Sequence, residues 1–270
     1  MNNDQNLLIA LAIVHDEERR EFNLFPEFLT MDVTSQTNKE KRDLFLVGGV
    51  NGSNQAFTVF RCLLPSGAKW AFRWIMNSAM IELLGDSIKE VSLVATDGDS
   101  NEYDIIDEAV LRKEYWNCTR ILCWYHLWAQ KWLKQIINKC DISCPSSICQ
   151  NIYDWVSSWN LGVESNDEFV YSFDNLQKFI MENKTELGDA FVNSIVTYID
   201  KSMMPHKRNW EFTYRYKVFG GYHTTTSSLE ACNSALKTTS VATVRPNLNI
   251  DKSICNQMLQ IENRNRNRSR

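Results

Sequence analysis

From Phe28 onward the chain alternates short apolar runs with longer stretches of mixed polarity. Residues 28–34, 44–51 and 56–64 are apolar and rich in β-branched or aromatic residues, the composition of half-buried strands. Between the last two, Asn51-Gly-Ser-Asn-Gln is a turn signal, so an antiparallel hairpin is expected there. Pro65-Ser-Gly then opens a helix. On it Ala71, Trp74, Ile75, Ser78 and Ile81 share one face at roughly 3.6-residue spacing, until Gly85 ends it. A strand over 91–97, a helix over 102–114, a strand over 119–125 and a helix over 126–138 complete the alternation.

Beyond residue 139 the strand signals stop. Segments such as Ile152-Tyr-Asp-Trp-Val-Ser-Ser-Trp159 and Phe169-Val-Tyr-Ser-Phe-Asp-Asn-Leu-Gln-Lys-Phe-Ile180 place aromatic residues at helical spacing, the pattern of a helical subdomain whose rings form a core. The expected organisation is a lead-in over 1–27, a sheet-bearing core over 28–139, a helical insertion over 140–223, a helix over 224–240 that returns to the core, and a basic tail over 241–270. Three antiparallel strands followed by helix, strand, helix, strand, helix is the element order of an RNase H-like sheet, in which the first and fourth strands are neighbours.

That order gives weight to three carboxylates. Asp32 lies at the end of Phe28-Leu-Thr-Met, Asp97 ends the run Val91–Thr96, and Glu230 sits in Thr225-Thr-Ser-Ser-Leu-Glu-Ala-Cys-Asn, where the hydroxyls before it suit a helix N-cap. Acids on rigid strands are good platforms for a site, and two or three carboxylates hold Mg²⁺ or Mn²⁺, hard ions that take oxygen ligands and keep several waters. Two such ions can clamp the attacking and leaving oxygens of a phosphodiester displacement. The plainer readings are that an Asp after a strand forms a turn and that a Glu in a first helical turn answers the helix dipole. Asp99, beyond Gly98, competes with Asp97 as the second ligand, and strand geometry favours Asp97. Cys123 and His126 form a Cys-x-x-His pair that supplies two zinc ligands where a structural site wants four, so zinc is not expected and a role at the site's rim stays open.

Composition narrows the rest. At 270 residues, 44% hydrophobic and 23% charged, the chain is an ordinary globular sequence and not a disordered or fibrous one. The apolar stretch Leu7–Val14 is too short to span a membrane, is preceded by Asp4 and followed by Asp-Glu-Glu, and so is not expected to be a secretion signal or anchor. In the reducing compartment this implies, the eight cysteines are expected as thiols. A net charge of −4 argues against a simple nucleic-acid-binding domain. The charge is uneven, with Lys207, Arg208, Arg215 and Lys217 before Glu230 and an Arg-rich end over 264–270.

Taken in order, Asp32-Val-Thr-Ser-Gln-Thr-Asn38, Val47-Gly-Gly-Val-Asn51, the Trp-containing helix at Trp70 to Trp74, Thr96-Asp-Gly-Asp99, Cys123-Trp-Tyr-His126 and the segment around Glu230 resemble the transposase domain of Mutator-like elements. The resemblance covers roughly residues 20–135 and resumes at 224–237. It implies an RNase H-like fold with an all-helical insertion before the last acid, a DDE triad of Asp32, Asp97 and Glu230, and Mg²⁺ or Mn²⁺ in a two-metal site. It also implies double-stranded DNA as partner, both transposon ends and target, with a second copy of the chain as a further partner and the nucleus as location. Ser35 stands where the family usually has an aromatic residue, and the zinc-binding and SWIM-type Cys/His modules common in the family have no counterpart in the pattern. The expectation is therefore a catalytic core without its DNA-reading parts, and the alternative a domesticated or truncated, non-catalytic regulator that associates with DNA.

Overall fold

In the computed structural model the described residues are 9–34, 42–112, 114–139 and 145–215. Six strands form one mixed sheet: β1 (Leu11–Ile13), β2 (Phe28–Thr34), β3 (Asp43–Val50), β4 (Ala56–Leu64), β5 (Leu93–Thr96) and β6 (Thr119–Leu122), in the order β1-β4-β3-β2-β5-β6. The β3–β4 pair is the expected hairpin, its turn closed by Asn51 Oδ1, which accepts from the backbone N–H of Ser53 and Gln55, with Asn54 at φ 60°. The expected neighbourhood of the first and fourth predicted strands is found, since β2 lies beside β5. The described residues divide into two compact units, one within 9–94 and 99–118, the other within 95–98 and 119–215.

In the first unit the strands alternate between two faces. Leu29 and Met31 of β2, Phe45 and Val47 of β3, and Phe60, Cys62 and Leu64 of β4 point into one core with the helices α2 (Lys69–Trp74), α3 (Met80–Leu84) and α4 (Ser100–Arg112). The register pairs Met31 with Val47 and Val47 with Phe60, and slips at Val47/Gly48.

Two sequence expectations give way here. The lead-in over 1–27 carries structure of its own: β1 pairs antiparallel with β4, and α1 (Asp16–Leu24) follows it. α1 is held by Phe22, which packs into the core, and by a buried ion pair in which Arg61 of β4 donates both Nη1 (2.9 Å) and Nη2 to the Glu18 carboxylate. Glu18 also accepts from the N–H of His15 at 3.1 Å, which caps the helix start. The helix after Pro65, in turn, buries a different face from the one expected: Trp74 is half-buried and Ser78 exposed, while Ala71, Ile75 and Ala79, and beside them Phe72, Met76 and Met80, point inward. Both rows recur every four residues because Ile75–Ala79 is a π-helical segment, whose wider turn keeps fourth residues in line. Gly85 stops the helix as expected, at φ 69°.

The second unit is helical beyond β6. The expected strand over 119–125 ends at Leu122: the N–H of Cys123 donates to Thr96 O at 2.7 Å, and helix begins at Trp124. The helix expected over 126–138 contains two π-helical segments, Tyr125–Ala129 and Trp132–Ile136, and there again buried Trp124, Trp128 and Trp132 fall four apart. Then come α5 (Ser146–Leu161), α6 (Asn166–Glu182), α7 (Lys184–Leu187), α8 (Asp189–Tyr198) and α9 (Phe212–Arg215). Their core is aromatic, with Trp159 and Phe169 ring centroids 5.1 Å apart and Trp128 and Trp132 4.9 Å apart. Among the described residues no helix is long and apolar enough to cross a membrane.

Candidate functional site

Asp32 sits inside β2, not at its end, and is 8% exposed. Alternation along β2 sends Leu29 and Met31 into the core and puts Phe28, Thr30, Asp32 and Thr34 on the opposite face, all of them buried. Their register partners on β3 are Gly48 for Thr30, Leu46 for Asp32 and Leu44 for Thr34. A buried carboxylate needs a compensating partner or cation, so this position is costly unless it serves one. Asp32 does have an interaction partner within the protein. The Thr30 hydroxyl oxygen, buried on the same face, has no hydrogen-bond partner among the described residues.

Asp97 follows Thr96 directly at the end of β5 and is half-buried. Val94 belongs to the core of the first unit, so the alternation carried through Ala95 sets Asp97 in phase with Leu93 and Ala95 and out of phase with Val94. Gly98 takes φ 93°, a conformation that L side chains rarely adopt, and turns the chain toward α4.

Asp99 has a structural task. Its Oδ1 accepts from the N–H of Asn101 at 2.8 Å and of Glu102 at 3.3 Å, and its carbonyl accepts from Tyr103 at 2.9 Å. That is an N-cap, and it accounts for an acid two residues after Asp97 without any ligand.

Cys123 is fully buried, and His126 is half-buried in the π-helical segment after β6, its ring 5.8 Å from that of Tyr125. The residue after His126 is anchored by Tyr198 of α8, whose hydroxyl donates to Leu127 O. Burial pushes the Tyr198 hydroxyl well above the ordinary phenol range, which keeps it a donor. Sequence reasoning missed both Tyr198 and Thr30; neither belongs to a motif, and their roles come from burial and contact. Glu230, the turn over 224–228 and the basic tail lie outside the described residues.

Asp32 and the hydroxyls beside it are hard oxygen donors of the kind Mg²⁺ and Mn²⁺ take, whereas Cys123 and His126 offer a soft pair too few for zinc. Among the described residues no group of three or more His, Cys, Asp and Glu side chains could hold a metal ion, and the third expected acid falls outside them.

Residues 1–113 match the family model described as the RNaseH-like domain of zinc finger SWIM domain-containing protein 1/3. The match takes in β1 to β5 and α1 to α4, with Asp32, Asp97 and Asp99; Cys123, His126 and Glu230 lie beyond it. The mixed sheet with its helices is thus RNase H-like, as its element order implies. No match was found among curated proteins. Among solved structures, the chain is similar to one in the cryo-electron-microscopy structure of the simian T-cell lymphotropic virus intasome in complex with PP2A regulatory subunit B56 gamma. The identity is 11% and the TM-score 0.27, with 61% of this chain and 57% of that one covered, a likeness too slight to bear on function.

Proposed function

We propose that this chain is the core of a metal-dependent polynucleotidyl transferase, a DDE transposase domain of the Mutator-like kind, acting on double-stranded DNA. The observation that carries the reading is Asp32: a carboxylate buried in the middle of a β-strand of an RNase H-like sheet, beside β5, which Asp97 directly follows. Both N–H groups of Ser92 and Leu93 donate to Glu27 O, at 2.9 and 3.0 Å, which ties the start of β5 to the start of β2. Asp32 lies five residues beyond Glu27, and Asp97 five beyond Ser92.

In this reading Asp32, Asp97 and Glu230 hold two Mg²⁺ or Mn²⁺ ions. Bound ions would supply positive charge to the scissile phosphate and to the attacking and leaving oxygens. The chain's own residues fix where that charge sits. β2 holds the Asp32 carboxylate on a buried face with little freedom, and Gly98 lets the chain leave β5 sharply enough for Asp97 to end the strand while Asp99 caps α4. His126 stands on the helix that follows β6, and Cys123, between strand and helix, donates its N–H to Thr96 O beside Asp97. We assign it to the rim of the site.

The test is nicking of supercoiled plasmid in Mn²⁺ by the wild type and the Asp32→Asn, Asp97→Asn and Glu230→Gln variants, with an EDTA control. The reading expects metal-dependent nicking that falls by at least about a hundredfold in each variant. Nicking that survives in all three would sink the triad. A second reading, an RNase H-like derivative without catalysis, draws on the family match, which ends before Glu230 and is described by fold. Absence of nicking by a folded wild-type chain would favour it.

A further inference from the structure

We infer that Thr30 is a positioning residue whose hydroxyl holds a water in the hydration shell of the divalent ion at Asp32. The inference rests on the metal reading of Asp32 given above and goes beyond it, since Thr30 belongs to none of the acids of the triad.

Thr30 is 1% exposed, its hydroxyl oxygen is buried, and that oxygen has no hydrogen-bond partner among the described residues. A buried hydroxyl without a partner is destabilising, and such groups in folded proteins mark a water or ion that completes them. Valine has the same shape and a higher strand preference, so packing alone gives no reason for threonine here.

Position says which water. On β2, Thr30 and Asp32 are two residues apart and share a face, which sets their Cα atoms about 6.5–7 Å apart. That is too far for a direct bond from a short side chain, and two hydrogen bonds of about 2.8 Å laid end to end through a water span most of it. The residue paired with Thr30 on β3 is Gly48, which brings no side chain to the space beside the hydroxyl, and the next strand pairs Gly48 with Thr58. A water needs two to four polar partners. Thr30 Oγ1, the Asp32 carboxylate and the ion make three. Mg²⁺ and Mn²⁺ keep several of their waters when protein-bound, so a hydroxyl set one water away from the ligand is placed to orient that shell.

The test compares Thr30→Val, Thr30→Ser and Asp32→Asn with the wild type in two measurements that need no DNA: thermal melting in EDTA and in Mn²⁺, and Mn²⁺ affinity from the free-ion electron paramagnetic resonance signal. In EDTA the Val variant is expected to melt at or above the wild-type temperature, because a partnerless hydroxyl has become a methyl group. In Mn²⁺ its gain in melting temperature should shrink and its Mn²⁺ Kd rise about tenfold or more, the usual effect of losing an outer-shell group. The Ser variant, which keeps the hydroxyl, should stay within about twofold of the wild type, and Asp32→Asn should lose the site.

Wild-type Mn²⁺ affinity in the Val variant, with binding lost in Asp32→Asn, overturns the role of Thr30 and leaves the metal reading standing. Unchanged affinity in Asp32→Asn overturns the metal reading itself. A Val variant that melts clearly below the wild type in EDTA would show that the hydroxyl is satisfied without the ion, and that too overturns the inference.

Discussion

The two units are filled in different ways. In the sheet-bearing unit the core is made mostly of aliphatic residues and phenylalanines: Leu29, Met31, Phe45, Val47, Phe60 and Cys62 lie on one sheet face, with Ala71, Ile75, Met76 and Met80 from the helices, and buried Trp116 donates Nε1–H to Met76 O at 3.1 Å. In the helical unit tryptophans are frequent, and three of its six donate to an acceptor. Trp155 and Trp159 both donate Nε1–H to Ser172 Oγ, at 2.9 and 2.8 Å, and Trp210 donates to Met203 O at 2.8 Å. The acceptors differ in reach: Met76 lies 40 residues from Trp116, whereas Ser172 and Met203 lie 7 to 17 residues from the tryptophans they serve.

The sharpest way to break that contrast is Trp159→Ala, expected to destabilise the helical unit by about 3–5 kcal/mol, read by chemical denaturation with segment-resolved hydrogen exchange. Trp159→Phe against Trp128→Phe refines it. Trp128 Nε1 has no partner among the described residues, so its replacement should cost about 1 kcal/mol less than that of Trp159, which releases its bond to Ser172.

The sheet-bearing unit adds a buried ion pair. Arg61→Ala should cost about 3–5 kcal/mol by leaving Glu18 charged and buried, and the double variant Glu18→Leu/Arg61→Met should recover most of it in the same denaturation assay.

A smaller effect comes with pH. Burial pushes the Cys62 and Cys118 thiols up to about 12 from 9.0, so the unfolded chain loses these protons first as pH rises. Their contribution to stability is complete below pH 9 and declines toward pH 12, by about 1.4 kcal/mol per pH unit for each thiol, which denaturation at pH 8, 9.5 and 10.5 will show. The smallest expected effect is that of Asp99→Ala. Loss of the N-cap of α4 should cost about 1 kcal/mol and leave any nicking activity intact, in contrast with Asp97→Asn.

Legibility from sequence follows the same divide. β2, β4 and the hairpin turn could be read because strands buried on both faces show as apolar runs rich in β-branched or aromatic residues, and Asn51-Gly announces a turn. The inward face of α2 and α3 was misplaced because a π-helical segment changes the period, and nothing in residues 75–79 advertises one. β1 and α1 escaped notice because three residues are too few for a pattern and α1 is held by Phe22 in the core and by an ion pair formed across 43 positions. At the site, Asp32 and Asp97 stood out as acids bounding apolar runs, and Asp99 as a rival. Asp99 caps α4 through the N–H of Asn101 and Glu102, a contact visible once α4 is placed.

The Arg61–Glu18 pair also sets a rule for anyone trimming the molecule. A piece begun at Phe28, where the recognisable sheet pattern starts, would drop β1 and α1 and leave a guanidinium facing an apolar interior with its counter-charge gone. The shortest recombinant piece of the sheet-bearing unit worth expressing therefore starts ahead of Leu11, and insolubility of a shorter one would report on the lost ion pair, strand and Phe22 packing rather than on Asp32 or Asp97.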